Sequence, residues 1–396
     1  MKSDELGHSK INEVKNTWLL MPAGLTQLST MLATLKMLGI PFQQARVLSN
    51  ISVYNSAMDQ CLRDCCRLFS IPFLGNYYNY IDFAGIPLEE LSPSARRNFN
   101  ADPKSFTIEW LKAKYADLAP YQGDSVMIMA RPNMIEDLYY LTVIDPPNTI
   151  LVADGSPPEI LFRSLKGEHW AGCHDALREF PTSTPIYCPA SLCQDNHHLG
   201  PTIPINKAIL DEIYHCIRDS DIGRKLRSTI FSLNNLPKSI ILSQHMALSR
   251  YCSVENEIDY YSQIISFLVK NQLTPVLFKR HPRDTIEKQK MLQERFVDFK
   301  SSIIFTDDYT SCIPIECLYE VWRDKPLTLV GSFSSSLKTF SSEPQHNRIC
   351  FDVVYLPDSM RRYILGFAVR NCVSIIRADH GNIPATVHSL EAASLP

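Results

Sequence analysis

Apolar positions along the chain fall into short runs closed by turn residues. These runs alternate with longer stretches whose apolar residues recur at helical spacing. The run Thr17–Met21 leads through Pro22, Ala23 and Gly24 into Leu25–Leu38, a pattern that predicts strand, tight turn and helix. From Tyr77 to Tyr121 the pattern is mostly helical and rich in aromatic residues, with a turn at Asn100–Lys104 and the amphipathic IEWLKAKYADLAPY. SVMIMARP then predicts a buried strand at Ser125–Met129, and NTILVADGSPPE a second from Asn148. The segment Pro181–Pro204, rich in Pro, Cys and His, reads as irregular structure, and a helix is expected near Ile209–Ile217.

The second half is more regular. LPKSIILSQ holds a strand at Ser239–Ser243. VENEIDYYSQIISFLVKN reads as a helix with Glu255, Glu257 and Asp259 in its early turns, the end where the macrodipole favours negative charge. Strand TPVLFK, helix EKQKMLQERF, strand SIIFTD from Ser302, helix PIECLYEVWRD from Pro314 and strand LTLVG from Leu327 follow in order. This alternation predicts a doubly wound α/β domain, and no repeat of fixed period is found. NNLPK at Asn234–Lys238 is the expected boundary, dividing the chain into domains at 1–235 and 236–396, the second with a C-terminal extension. A chain of 396 residues is long enough for two such Rossmann-like domains. If they face across a cleft, the carboxyl ends of their strands bring Asp154 and Gly155 opposite Lys279–Asp284 and a serine-rich loop.

Composition narrows the function. A net charge of -3 gives no global attraction to nucleic acid. The opening MKSDELGHSK predicts no signal peptide, and no apolar run reaches the length of a membrane span. Cytoplasmic residence is expected, with peripheral work at the inner membrane left open. The 12 cysteines include no CxxC pair and are expected as buried thiols. Cys173, His174, Cys188, Cys193, His197 and His198 crowd one segment, but their spacing matches no recognised zinc frame.

Four motifs carry candidate chemistry. LFKRHPRD discharges a buried strand into Lys279, Arg280, His281, Pro282 and Arg283, a set suited to an anion and, through His281, to proton transfer. A solvated strand end is the plain alternative. GSFSSSLKTF offers the hydroxyls of Ser334, Ser335 and Ser336 and free backbone N–H groups, a phosphate cradle with Lys338 nearby, or simply a serine-rich cap. Neither GxxxxGK[ST] nor a GxGxxG after a first strand is present, which argues against phosphate-loop NTPases and nicotinamide enzymes. Asp154 in VADGS ends an apolar strand, where a carboxylate can take a proton from an attacking hydroxyl; an Asp-Gly turn is the structural reading. In SCIPIE, Pro314 would sit at a helix start and Glu316 in its first turn, free to accept from a sugar hydroxyl or placed there for the macrodipole.

The stretches VADGS, IILSQ, LFKRHPRD, CIPIE and GSFSSSLKT, in this order, resemble the motif series of bacterial sialyltransferases and polysialyltransferases that act on lipooligosaccharide and capsule. The resemblance implies the GT-B fold and transfer of a sialyl residue from CMP-sialic acid to a glycan hydroxyl, with inversion and without an essential metal. It places the general base on Asp154 and puts His281 of the His-Pro motif on the CMP phosphate. Ser334, Ser335 and Ser336 would share that phosphate, and Pro314 and Glu316 would face the ribose or cytosine. Ala153 departs from the family pattern, which has a first acid there. The partners implied are a nucleotide-sugar donor and a glycan or glycolipid acceptor. Two rival readings use the same residues: a GT-B enzyme taking another CMP-ulosonic acid or a UDP- or GDP-sugar, and a non-catalytic glycan-binding module. Arg131, Asn133 and Tyr77–Tyr80 read as local packing rather than an acceptor groove.

Overall fold

The computed structural model describes residues 17–50, 55–76, 92–130, 135–154, 184–193, 200–232, 235–247, 252–299, 301–332, 334–339, 345–353, 358–370 and 372–378. Two wholly parallel sheets organise them. The first holds β1 (Trp18–Leu20), β2 (Ala45–Ser49), β3 (Phe73–Asn76), β4 (Ser125–Met129), β5 (Thr149–Val152), β6 (Ile186–Pro189) and β7 (Thr202–Ile205), in the order β3-β2-β1-β4-β5-β6-β7. The second holds β8 (Ser239–Leu242), β9 (Val276–Lys279), β10 (Ile303–Phe305), β11 (Leu327–Gly331), β12 (His346–Val353) and β13 (Ser374–Ala378), in the order β10-β9-β8-β11-β12-β13. Counted from its own first strand, each sheet begins 3-2-1-4-5-6, the doubly wound Rossmann order. Two such lobes around one cleft make the GT-B arrangement that the motif series implied.

The central strands are buried along their whole length: β1, β4, β8, β9 and β11 leave no exposed position. That is the signature of parallel sheets covered by helices on both faces. The helix Val254–Lys270 shows how local sequence fixes such a cover. Ser253 caps it through Asn256 N, Glu255 and Glu257 occupy its first turn, and Ile258, Tyr261, Ile264, Ile265 and Leu268 form its buried stripe. The helix Ser56–Leu68 buries Met58, Cys61, Leu62, Cys65 and Cys66. Burial pushes the thiols of Cys61 and Cys65 well above their ordinary range, so these are packing residues rather than nucleophiles.

The lobes also touch away from the cleft. Tyr309 of the rear lobe donates to Asp64 of the front lobe at 2.7 Å. Helix Lys207–Asp219 joins them again, where Arg218 and His215 both meet Glu320.

The structure differs from the sequence reading at several elements. Two strands, β6 and the edge strand β7, replace part of the irregular structure expected at Pro181–Pro204. Both carry proline: Pro204 lies in the edge strand β7, where fewer ladder bonds are lost, and Pro189 is the last residue of β6. The chain after Pro314 forms a 3₁₀ helix, Ile315–Trp322, with Pro314 as its N-cap rather than inside its first turn. Among the described residues, no helix is long and apolar enough to cross a membrane.

Candidate active site

The topological switch points of the two sheets face one another, and the strand ends there enclose a cavity of about 470 Å³. Asp154 reaches it from the front lobe. Lys279, His281, Pro282, Pro314, Glu316, Ser334, Ser335 and Ser336 reach it from the rear lobe. Residues separated by 182 positions in sequence, Asp154 to Ser336, thus line one space.

Asp154 stands two residues beyond the end of β5, after the buried Ala153, and is partly exposed. Helix Lys207–Asp219 passes close by. The phenol of its Tyr214 is pushed well above its ordinary value, chiefly by burial, then by the charges of Glu316, Cys317 and Asp154. Acids of both lobes therefore act on one buried ring. Gly155, the glycine of the acidic motif, lies outside the described residues.

The turn after β9 is built by hydrogen bonds rather than by solvation. Asp284 accepts from His281 N at 3.1 Å and from the Ser243 hydroxyl at 2.6 Å. Lys288 binds Asp284 at 2.7 Å, Glu257 at 2.6 Å and the carbonyl of Gln244 at 2.9 Å. This buried ion group fixes where the His281 ring can go. The Nδ1 of His281 accepts from the N–H of Arg283 at 3.1 Å, so the neutral ring carries its proton on Nε2. Burial, then His245, Arg283, Lys279 and Lys288, hold the imidazole well below its usual value. It meets an incoming anion as a neutral N–H donor.

The cations of the motif take different parts. Lys279 lines the cavity while donating to the carbonyl of Ser311, and two of its three N–H groups are left to point elsewhere. Burial brings its ammonium down to about 8, against the opposing pull of Cys312 and Glu316. Arg280 is spent on structure, because its guanidinium binds Gln289 and Asp308 and is almost wholly buried. Arg280 also lines the cavity, and among the described residues its Nε has no hydrogen-bond partner. Arg283 lines the cavity, and its charge is felt by both His281 and His245.

The serine run and the SCIPIE acid, read separately in the sequence, meet here. Ser336 donates to Glu316 at 2.6 Å across the cavity wall. The backbone N–H of Lys338 donates to the carbonyl of Ser335 at 2.9 Å, while its ammonium donates to the carbonyl of Ser191 in the front lobe at 3.2 Å and lies over the ring of Phe367. The cavity residues not foreseen include His245, Asn55 and Gln27. His245 follows the strand IILS at the same kind of position as His281. Asn55 caps helix Ser56–Leu68 and also donates to the carbonyl of Pro282 at 2.6 Å. Gln27 accepts from Ala23 N at 2.6 Å where β1 turns into its helix.

Cys188 and Cys193 are in contact, with 3.3 Å between their sulfurs. Cys173, His174, His197 and His198 lie outside the described residues, as do Arg131, Asn133 and Tyr77–Tyr80. Among the described residues no group of three or more His, Cys, Asp or Glu could hold a metal ion.

With this geometry in hand, the similarities to known proteins bear on the rear lobe first. Residues 220–342 match the family model described as alpha-2,8-polysialyltransferase. That segment carries β8 to β11 and every rear-lobe motif of the cavity. A search of curated proteins found no match. Among solved structures, the spinosyn rhamnosyltransferase SpnG complexed with thymidine diphosphate aligns with a TM-score of 0.43 and 12% identity, over 91% of this chain and 85% of that one. Glycyrrhiza uralensis UGT73P12, complexed with glycyrrhetinic acid 3-O-monoglucuronide, gives 0.42 and 7%, over 90% and 80%. A sialyltransferase from Photobacterium damsela gives 0.39 and 13%, over 92% and 82%. The chain thus has two doubly wound lobes, and a segment of its rear lobe is similar to the alpha-2,8-polysialyltransferase family.

Proposed function

We propose that the protein transfers sialic acid from CMP-sialic acid to a hydroxyl of a glycan acceptor, with inversion at the anomeric carbon. Residues 1–235 form the acceptor side and 236–396 the donor side. The observation that carries the reading is the single cavity onto which the front-lobe carboxylate of Asp154 and the rear-lobe set His281, Lys279 and Ser334–Ser336 all open.

In this reading Asp154 takes the proton of the acceptor hydroxyl as its oxygen attacks the anomeric carbon. The bond from that carbon to the phosphate oxygen breaks on the opposite side, and its electron pair stays with CMP. Charge grows on the phosphate as it leaves, so donors already aimed at it lower the barrier more than they stabilise the bound substrate. The Nε2–H of His281, the ammonium of Lys279 and the serine hydroxyls supply them. Glu316, held by Ser336, faces the ribose or the base, and Pro314 sets the entry of its 3₁₀ turn. Ala153 brings no second acid, which leaves the base role to Asp154 alone. A lipooligosaccharide or capsular glycan, reached from the inner face of a membrane, is the acceptor class that fits the family.

A nucleotide panel tests the donor. CMP should raise the melting temperature more than UMP, GMP, UDP or GDP, because only ligands of the native state shift it. A larger shift with UDP or GDP would point instead to another GT-B donor. Absence of CMP-sialic acid turnover, with or without acceptor, would favour a binding module.

A further inference from the structure

His245 is used by none of the steps above, yet it is one of the most constrained residues of the cavity. Its ring lies on that of His281, centroids 4.1 Å apart and planes 33° from parallel. The chain on either side of it is clamped. Gln244 N donates to the Tyr261 hydroxyl at 2.6 Å, and its carbonyl accepts from Lys288 at 2.9 Å. Glu257 accepts from Met246 N at 3.2 Å and Ala247 N at 2.8 Å. Lys288, which holds this loop, also holds Asp284, and Asp284 holds the backbone of His281. One buried ion group thus presses two imidazoles of different loops face to face at the cavity wall.

Among the described residues, Nδ1 of His245 is buried without a hydrogen-bond partner. A buried orphan of this kind costs stability and is usually kept for function. Two stacked imidazoles cannot both carry charge at low cost, so they titrate as a pair with shared apparent values.

We propose that His245 and His281 act as one unit, holding between them the single proton that the departing phosphate oxygen takes. The proposal rests on the donor reading given above. Binding of the anionic donor draws one proton from solvent onto the pair. When the bond from the anomeric carbon to the phosphate oxygen breaks, the electron pair remains on that oxygen and the imidazolium proton passes to it. Both rings are then neutral again. The acceptor proton leaves separately, through Asp154 to solvent.

The surroundings agree. Arg283 and Lys288 face His245 as cations and Asp284 as an anion, with His281 across the stack and Glu257 behind the loop. Burial and this balance bring His245 down to about 4, so the pair is neutral before an anion arrives.

The test uses the full chain with ¹³C-labelled histidine, CMP as the probe and cytidine as the control. The His245 resonance, identified by its loss in His245→Phe, should move to a higher titration midpoint together with that of His281 on adding CMP, and neither should move with cytidine. Calorimetry in two buffers of different protonation enthalpy should show uptake of about one proton with CMP. His245→Phe keeps a flat ring on His281 but has no nitrogen. It should lose that uptake and bind CMP about tenfold more weakly, with cytidine affinity unchanged as the measure of an intact fold. His245→Gln, which does not titrate, gives the same comparison if the phenylalanine variant fails to fold. A His245 resonance unmoved by CMP, or wild-type uptake and affinity in a folded variant, overturns the shared proton and leaves the donor reading standing. If neither CMP nor cytidine binds the wild type, the donor reading falls, and the role of the pair falls with it.

Discussion

The carboxamide of Asn55 donates to the carbonyl of Pro282 at 2.6 Å, so a front-lobe helix cap holds the residue next to the rear-lobe imidazole. The same side chain accepts from Ala57 N at 3.0 Å and Met58 N at 3.1 Å. These two duties can be separated. Serine caps a helix as well as asparagine but has no amide to offer Pro282. Asn55→Ser should therefore keep the melting temperature while transfer falls about tenfold, the effect of slight misplacement of a catalytic group. Wild-type turnover in that variant would make the contact merely structural.

Asp154 and His281 are expected to matter to chemistry more than to folding. Replacing either by Ala should leave circular dichroism and melting unchanged and lower transfer by about 100-fold or more, the usual worth of a general acid or base. Wild-type rates in both folded variants would defeat the assignment.

Lys279 sets an upper pH limit. Its ammonium loses its proton near pH 8 in the free protein, so the cavity loses a cation as pH rises through that value. CMP affinity, read by calorimetry, should fall across pH 8 to 9 in the wild type. In Lys279→Met, affinity should be lower at neutral pH and flat across the same window.

Lys288 should be decisive for stability. It sits buried between the carboxylates of Glu257 and Asp284. Lys288→Met leaves those two acids without their cation in a low-dielectric site, a change that costs on the order of 3–5 kcal/mol in comparable buried pairs. Urea unfolding should show a loss of that size, whereas a loss under about 1 kcal/mol would mean the acids find other partners or bind protons.

The acid side has its own signature. A histidine held below its unfolded value binds protons more readily once the chain unfolds, so folding stability falls as pH drops from about 6.5 towards 4. His245→Phe should flatten the fall of melting temperature across that window. An unchanged slope would assign the acid sensitivity to other groups.

Much of the rear lobe was legible because its strands are apolar along their whole length and its helices carry caps and stripes at regular spacing. The front lobe was less so. β2 is ARVLS, whose Arg46 breaks the apolar run and is matched only in the fold, by Asp124 at 2.7 Å. The rear lobe has its own exception in β12, HNRICFDV, which mixes polar residues into a strand that pairs with β11 along its first five residues and beside β13. The site followed a similar rule. His281 and the serines announce themselves as clusters at strand ends. His245 and Asn55 are single polar residues whose significance lies in what tertiary packing sets against them. The Ser336–Glu316 bond joins positions 20 apart and has no local pattern to reveal it.

Each sheet repeats one strand order, and each turns its own switch point toward the cavity. Neither half has to rebuild its core to alter the wall it presents, since the walls are loops hung from strands that stay put. If the lobes divide donor and acceptor as proposed, choice of leaving nucleotide and choice of incoming alcohol can drift separately over evolutionary time. Under the proposed division of labour, grafting front-lobe loops that spare Asn55, which holds Pro282, should redirect the product and leave the grip on the nucleotide as it is.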